Sequence, residues 1–169
     1  PAPAVAPPLG PTARLIVVGA MLVASGVAAY LFNNFMLQTY GTEAFDSVCN
    51  INETFNCDKI NTSKWGKIFG VPITVFAVPA YAAMAALAWF AGVADDRGRA
   101  SLKLLTLGTG ASVVYGVFLL YIMAFVESTF CLFCMTMDSM VLIAFVTALL
   151  ASRKAAGGGV NWAKAIGPA

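Results

Sequence analysis

Histidine is absent from this chain, and charged residues make up only 11% of its 169 positions against 60% hydrophobic. The first absence removes Ser-His-Asp and Cys-His nucleophile systems and every imidazole-bound metal centre. The second leaves about half the ~25% charge of a soluble domain. With a mean hydropathy of +0.82, it excludes a disordered chain, a nucleic-acid binder and an ordinary cytosolic enzyme. A net charge of +2 gives no field for polyanionic partners. No Gly-rich phosphate cradle for flavin or nicotinamide is present. What remains for reactive chemistry is four cysteines.

Apolar runs of about 20 residues, enough to cross a bilayer core, fall at 15–37, 72–94, 104–126 and 131–151. They predict an all-α membrane protein, a four-transmembrane-helix bundle over 15–151, in contact with membrane lipids. A Pro/Ala-rich tail, 1–14, is expected to be disordered, and 152–169 to be a flexible C-terminal tail or linker. The first span is too long for a signal-peptide core and is followed by three more. The side holding both ends and the second connection carries Arg14, Arg97, Arg99, Lys103, Arg153, Lys154 and Lys164; the opposite side has Lys59, Lys64 and Lys67. Lys and Arg mark the cytoplasmic side. Both termini are therefore expected in the cytoplasm, with the loop 38–71 and the turn 127–130 outside; if the membrane is a bacterial inner membrane, they face the periplasm. That loop far exceeds the ~12–15 residues of an ordinary connection. Its Phe45, Ile51, Phe55, Ile60, Trp65 and Phe69 suggest a cap folded onto the bundle. Gly108, Ser112 and Gly116 form a small-residue stripe suited to close helix packing.

Cys49 and Cys57 lie in the outer loop, and Cys131-Leu132-Phe133-Cys134 opens the fourth span. All four thus share the oxidising side, where disulfides persist. At a helix N-terminus the second pair meets free N–H groups and the positive end of the macrodipole, which stabilise a thiolate. A disulfide across three residues closes too small a loop to staple much and suits exchange. The spacing of Cys49 and Cys57 lacks the second knuckle of a four-cysteine zinc site, so no metal is expected. Four cysteines allow three connectivities, and the sequence leaves them open. Asp138 lies one helical turn below Cys134, and an ionisable group inside a membrane is by default functional. It would move the protons of thiol chemistry or hydrogen-bond a ligand; Tyr115 or Asn33 would hold it if it were structural. The apolar neighbours Phe130, Phe133, Met135 and Met137 suit a lipid-soluble quinone as electron acceptor, or plain packing. A competing reading is a non-enzymatic tetraspanning membrane protein with structural disulfides on its outer face.

The pair Cys49…Cys57, then Ser63-Lys64-Trp65-Gly66, then Phe69-Gly70-Val71-Pro72 before the second span, then Cys131-Leu132-Phe133-Cys134, resembles the vitamin K epoxide reductase family over nearly all of 15–151. The order separates it from the disulfide-bond-forming protein B family, in which the Cys-x-x-Cys pair comes first. The resemblance implies a quinone-dependent thiol:disulfide oxidoreductase that supports disulfide-bond formation. Cys49 would exchange with a periplasmic thioredoxin-like or DsbA-like protein, and Cys57 would pass electrons to Cys131. Cys134 would face the quinone, ubiquinone or menaquinone. Ser63 would support the reactive cysteines or the ring, with Trp65 as a further candidate contact; Asp138 is a candidate from its own place under Cys134, since the family role does not carry over to it. Two departures stand out: Asp138 occupies a position held by Tyr in animal members, and their segment with a quinone-contacting Asn before the second span has no clear counterpart. Bacterial members reoxidise their thiol partner, while animal ones reduce a quinone or its epoxide. The glycine run 157–159 suits a linker to a thioredoxin-like domain, which does not follow within these residues. The partner is therefore expected as a separate protein or as a domain cut from this chain.

Overall fold

The computed structural model describes residues 7–41 and 47–155. In chain order they form α1 (Pro11–Tyr40), α2 (Cys57–Thr62), a single 3-10 turn (Lys64–Gly66), an antiparallel hairpin of β1 (Lys67–Ile68) and β2 (Val71–Pro72), then α3 (Thr74–Phe90), α4 (Asp96–Phe125) and α5 (Leu132–Ala155). Three helices, α1, α4 and α5, are long and apolar enough to cross a membrane. The expected second span, 72–94, is realised as the 17-residue α3, about 25 Å long at ~1.5 Å per residue against a ~30 Å hydrocarbon core. Pro72 is taken up by the hairpin, and the helix stops before Gly92.

Element ends differ from the apolar runs for local reasons. α1 begins at Pro11, inside the stretch expected to be tail, because proline presets a helical φ where its missing N–H is no loss. Just ahead of it Leu9 is buried, and its N–H donates to the Ala91 carbonyl at 3.1 Å. α4 starts at Asp96, ahead of its apolar run, because the Asp95 carboxylate caps it by accepting the Gly98 N–H at 2.8 Å. α5 runs on to Ala155, with Arg153 and Lys154 in its last turn, where cations meet the negative end of the dipole. Residues 1–6, Phe45, the glycine run 157–159 and Lys164 lie outside the described residues.

α1 packs on α3 and α5, and α4 packs on the same two helices, so the order around the bundle is α1–α3–α4–α5. Alanines set the spacing: Ala24 of α1, Ala85 and Ala88 of α3, and Ala144 and Ala148 of α5 are buried with Val17, Met21, Leu102, Leu105 and Val141. Small side chains let backbones approach where lipid supplies no hydrophobic drive. A Cβ on Gly108 would stand 3.1 Å from Met84 Cε of α3, so that end of the small-residue stripe is filled by a neighbour. Ser25 Oγ donates to the Val78 carbonyl at 3.0 Å, tying α1 to α3 beside Pro79, the one break in that helix's donor ladder. At one end of the bundle the Arg14 guanidinium lies over the Trp89 ring at 4.6 Å. The other end gathers α2, the hairpin and the α4–α5 turn.

Candidate functional site

The outer cap is built by short-range hydrogen bonds. Asn56 caps α2, its side chain accepting the Lys59 N–H at 2.8 Å, which makes Cys57 the first helical residue. Ser63 ends the helix: its hydroxyl donates to the Ile60 carbonyl at 2.8 Å and accepts from the N–H groups of Trp65 and Gly66, both at 3.3 Å. Residue 66 is glycine for want of space, since a Cβ there would stand 2.8 Å from the Asn61 carbonyl oxygen and 2.9 Å from that of Ile60. Phe69 (φ 50°) and Gly70 (φ 83°) form a two-residue turn with both φ positive, which matches the twist of a hairpin. The register pairs Lys67 with Pro72 and Ile68 with Val71.

A second seam joins the cap to the α4–α5 turn. Phe130 N–H donates to the Thr54 carbonyl at 2.7 Å, and Asn56 N–H donates to the Phe130 carbonyl at 3.1 Å. Lys59 Nζ donates to the Glu127 carbonyl and to Thr129 Oγ1, both at 3.0 Å. Cys57 is thereby carried to the mouth of α5.

The structure pairs Cys49 with Cys57 and Cys131 with Cys134, Cα atoms 5.6 and 5.2 Å apart. Cys49, Cys57 and Cys131 are buried in one cluster with Leu31, Ile60 and Met123, and Cys134, Phe133 and Met137 pack against it. Cys131 stands immediately before α5. Its Sγ accepts the Cys134 N–H at 3.1 Å, and its carbonyl accepts the Met135 N–H at 3.0 Å. Sulfur thus takes the place of a capping oxygen, and on reduction the helix N-terminus would favour a thiolate there.

Below Cys134 lies a cavity of about 330 Å³, walled by Ser63 and Trp65 of the cap, Thr74, Ala77 and Tyr81 of α3, Ser112, Tyr115 and Gly116 of α4, and Asp138 of α5. Of the residues singled out from sequence, Cys134, Ser63, Trp65 and Asp138 share this cavity. Cys49, Cys57 and Cys131 form the buried cluster on its outer side. Tyr115 lines the same cavity as Asp138, whereas Asn33 faces outward. Asn61, Thr74 and Tyr81 also line it, and no sequence pattern pointed to them. Asn61 donates from Nδ2 to the Leu31 carbonyl at 2.8 Å, anchoring α2 on α1. The Trp65 ring stands edge-on to Phe118, centroids 6.0 Å apart. Two polar atoms in this wall, Trp65 Nε1 and Thr74 Oγ1, are buried and have no hydrogen-bond partner. Among the described residues no group of three or more Cys, Asp or Glu is placed to hold a metal ion.

Residues 14–149 match the sequence model of the vitamin K epoxide reductase family. No curated protein matches the chain.

Proposed function

Because this chain belongs to the vitamin K epoxide reductase family, a family of membrane thiol–disulfide oxidoreductases, we propose that it passes electrons from a periplasmic thioredoxin-like or DsbA-like protein through its two cysteine pairs to a membrane quinone. The observation that carries the reading is the serial burial of the disulfides. Cys49–Cys57 and Cys131 share one apolar cluster, and Cys134 alone of the four lines the cavity.

A thiolate of the partner attacks Cys49, releasing Cys57 as a thiolate; the partner's second thiol then resolves the mixed disulfide and leaves the partner oxidised. Cys57 attacks Cys131 and releases Cys134. Cys49 restores the outer disulfide and leaves Cys131 and Cys134 as a dithiol. Each exchange breaks one S–S bond and makes one, so direction follows the relative potentials. A quinone, when bound, supplies the acceptor for the electron pair and two protons that regenerate Cys131–Cys134.

The cavity fits such a ring: its size is that of a small-ligand site, its lining is largely apolar, and its few polar groups converge. Asp138, on the α5 wall, is suited to hold and deliver a proton. Ser63 keeps Trp65 and the cap in place. α3 serves as the fourth crossing, a short helix tolerated by local thinning of the bilayer. Among the described residues one end of the bundle carries Arg14, Arg97, Arg99, Lys103, Arg153 and Lys154 and the other Lys59, Lys64 and Lys67, which favours a cytoplasmic end opposite the cysteines.

The test is quinone reduction by the purified protein, with a reduced thioredoxin-like protein as donor and ubiquinone or menaquinone as acceptor, followed by quinone absorbance. Cys134→Ala is expected to abolish it. An unchanged rate in that variant would refute the assignment, because disulfides that are only staples do not turn over.

A further inference from the structure

One main-chain bridge joins the elements that carry the two cysteine pairs. Phe55 and Phe130 form a parallel bridge, in which the Phe130 N–H donates to the Thr54 carbonyl and the Asn56 N–H to the Phe130 carbonyl. Just past it both chains turn into helices: Cys57 opens α2, and Cys131 stands immediately before α5. Neither cysteine has exposed surface, and both belong to one buried cluster. An isolated pairing of this size is marginal by itself, so it needs a hold from outside.

Lys59 supplies that hold. Its ammonium reaches from α2 to the α4–α5 turn, donating to the Glu127 carbonyl and to Thr129 Oγ1, both at 3.0 Å. Glu127 follows the C-terminus of α4, where unpaired carbonyls and the negative end of the helix dipole favour a cation. Thr129 is 1% exposed, and its N–H donates to the Met123 carbonyl at 3.1 Å, which pins this acceptor to α4. Between the two acceptors Ser128 sits at φ 49°, a left-handed conformation that a serine keeps only where its surroundings hold it. Lys59 is two residues beyond Cys57, and Thr129 two before Cys131, so the clasp lies beside the junction of the pairs.

We propose that Lys59, clasped on Thr129 and the Glu127 carbonyl, is a positioning residue for electron transfer between the two pairs: it keeps the bridge closed and so presents Cys57 to Cys131. The clasp rests on the relay reading given above and adds the element that governs its middle step. In that step the Cys57 thiolate attacks Cys131 Sγ; a Cys57–Cys131 bond forms, the Cys131–Cys134 bond breaks, and Cys134 leaves as a thiolate. Small displacements of reacting groups cost rate steeply. Exchange between Cys49 and the thiol partner does not use the bridge, so the clasp acts on the transfer and not on the docking.

The test reads the junction first alone and then within the relay. In Cys49→Ala/Cys134→Ala the two thiols left are Cys57 and Cys131, and equilibration with reduced and oxidised glutathione gives the effective concentration of one towards the other. Adding Lys59→Met or Thr129→Val is expected to lower it about tenfold, the size of one lost hydrogen bond to a charged group. Lys59→Arg and Thr129→Ser restore it. The four-cysteine protein is then mixed with a reduced thioredoxin-like protein in the absence of quinone, and acid quenching and alkylation follow each pair in time. Lys59→Met should delay the thiols of Cys131 and Cys134 about tenfold, while the thioredoxin-like protein is oxidised at the wild-type rate. Should Thr129→Val not fold, Lys59→Met, at an exposed side chain, carries the same test. Equal effective concentrations in all variants, or an equal slowing of both phases, would overturn the proposal with the relay intact. If the wild type passes no electrons from the outer pair to the inner one, the relay reading falls and the role of the clasp with it.

Discussion

Gly116 makes room for Asp138: a Cβ on residue 116 would stand 2.5 Å from Oδ1 and 2.9 Å from Cγ of that carboxyl group. α4 and α5 close to contact at this point. The carboxylate borders both the cavity under Cys134 and a smaller groove of about 240 Å³ lined by Val113, Val117, Leu120 and Ser139. Gly116→Ala is expected to destabilise the protein by about 1–3 kcal/mol through overpacking, read as a lower Tm. Adding Asp138→Ala should return most of the loss, a coupling that a double-mutant cycle measures. Additive losses would show that the two residues do not share the space.

Asp138→Asn keeps the shape of the side chain and removes its proton. Quinone turnover is expected to fall about a hundredfold, the usual worth of a positioned acid, while disulfide exchange with the thiol partner keeps its rate. Turnover equal to wild type would reduce Asp138 to a packing residue.

Cys57→Ala leaves Cys49 a lone thiol, which can no longer be displaced from the partner by a neighbouring thiol of its own chain. Mixed with the oxidised partner, Cys49 attacks the partner's disulfide and releases its second thiol, and the mixed disulfide should accumulate as a reducible adduct on a non-reducing gel. Its absence, or its appearance with Cys49→Ala instead, would reverse the order assigned to the outer pair.

Ser63 makes three hydrogen bonds that turn α2 into the 3-10 turn bearing Trp65. Ser63→Ala should cost about 1 kcal/mol, as the loss of a helix cap does, and should shift tryptophan fluorescence as Trp65 loosens. Ser63→Thr retains the hydroxyl and should retain both signals.

Orientation is testable in a cysteine-free background. Val48→Cys, at an exposed site beside the outer pair, should react with a membrane-impermeant maleimide in intact cells, and Lys154→Cys only after lysis. The opposite pattern would invert the topology.

Much of this was legible in one dimension. Hydropathy located α1, α4 and α5 and, over a longer stretch than it fills, α3, because burial in lipid needs only length and apolarity. It gave no sign of α2, and the four cysteines stood out once histidine was missing. Helix ends were not legible: Asp95 begins α4 by capping it, and Pro11 begins α1, through backbone bonds that hydropathy does not sense. Asp138 could be placed under Cys134 because both lie on one helix and periodicity fixes their relation. Trp65 and Thr74 reach the wall of one cavity only through a hairpin register set by two positive φ values, and Gly116 meets Asp138 only across two helices. The small-residue stripe carried the signal for close approach but did not say that a carboxylate would fill the gap.

Cys57 and Cys131 have no exposed surface, and Cys49 has almost none. In the proposed relay, a thiolate released at these sites therefore meets carbon and other sulfurs before it meets dissolved peroxide. Packing alone then closes the oxidation ladder at the disulfide, short of sulfinic and sulfonic acids that cannot be recovered by exchange. In the proposed relay the two terminals are Cys49, within the cap, and Cys134, above the cavity, and the sulfurs between them are sheathed in carbon like the core of an insulated wire.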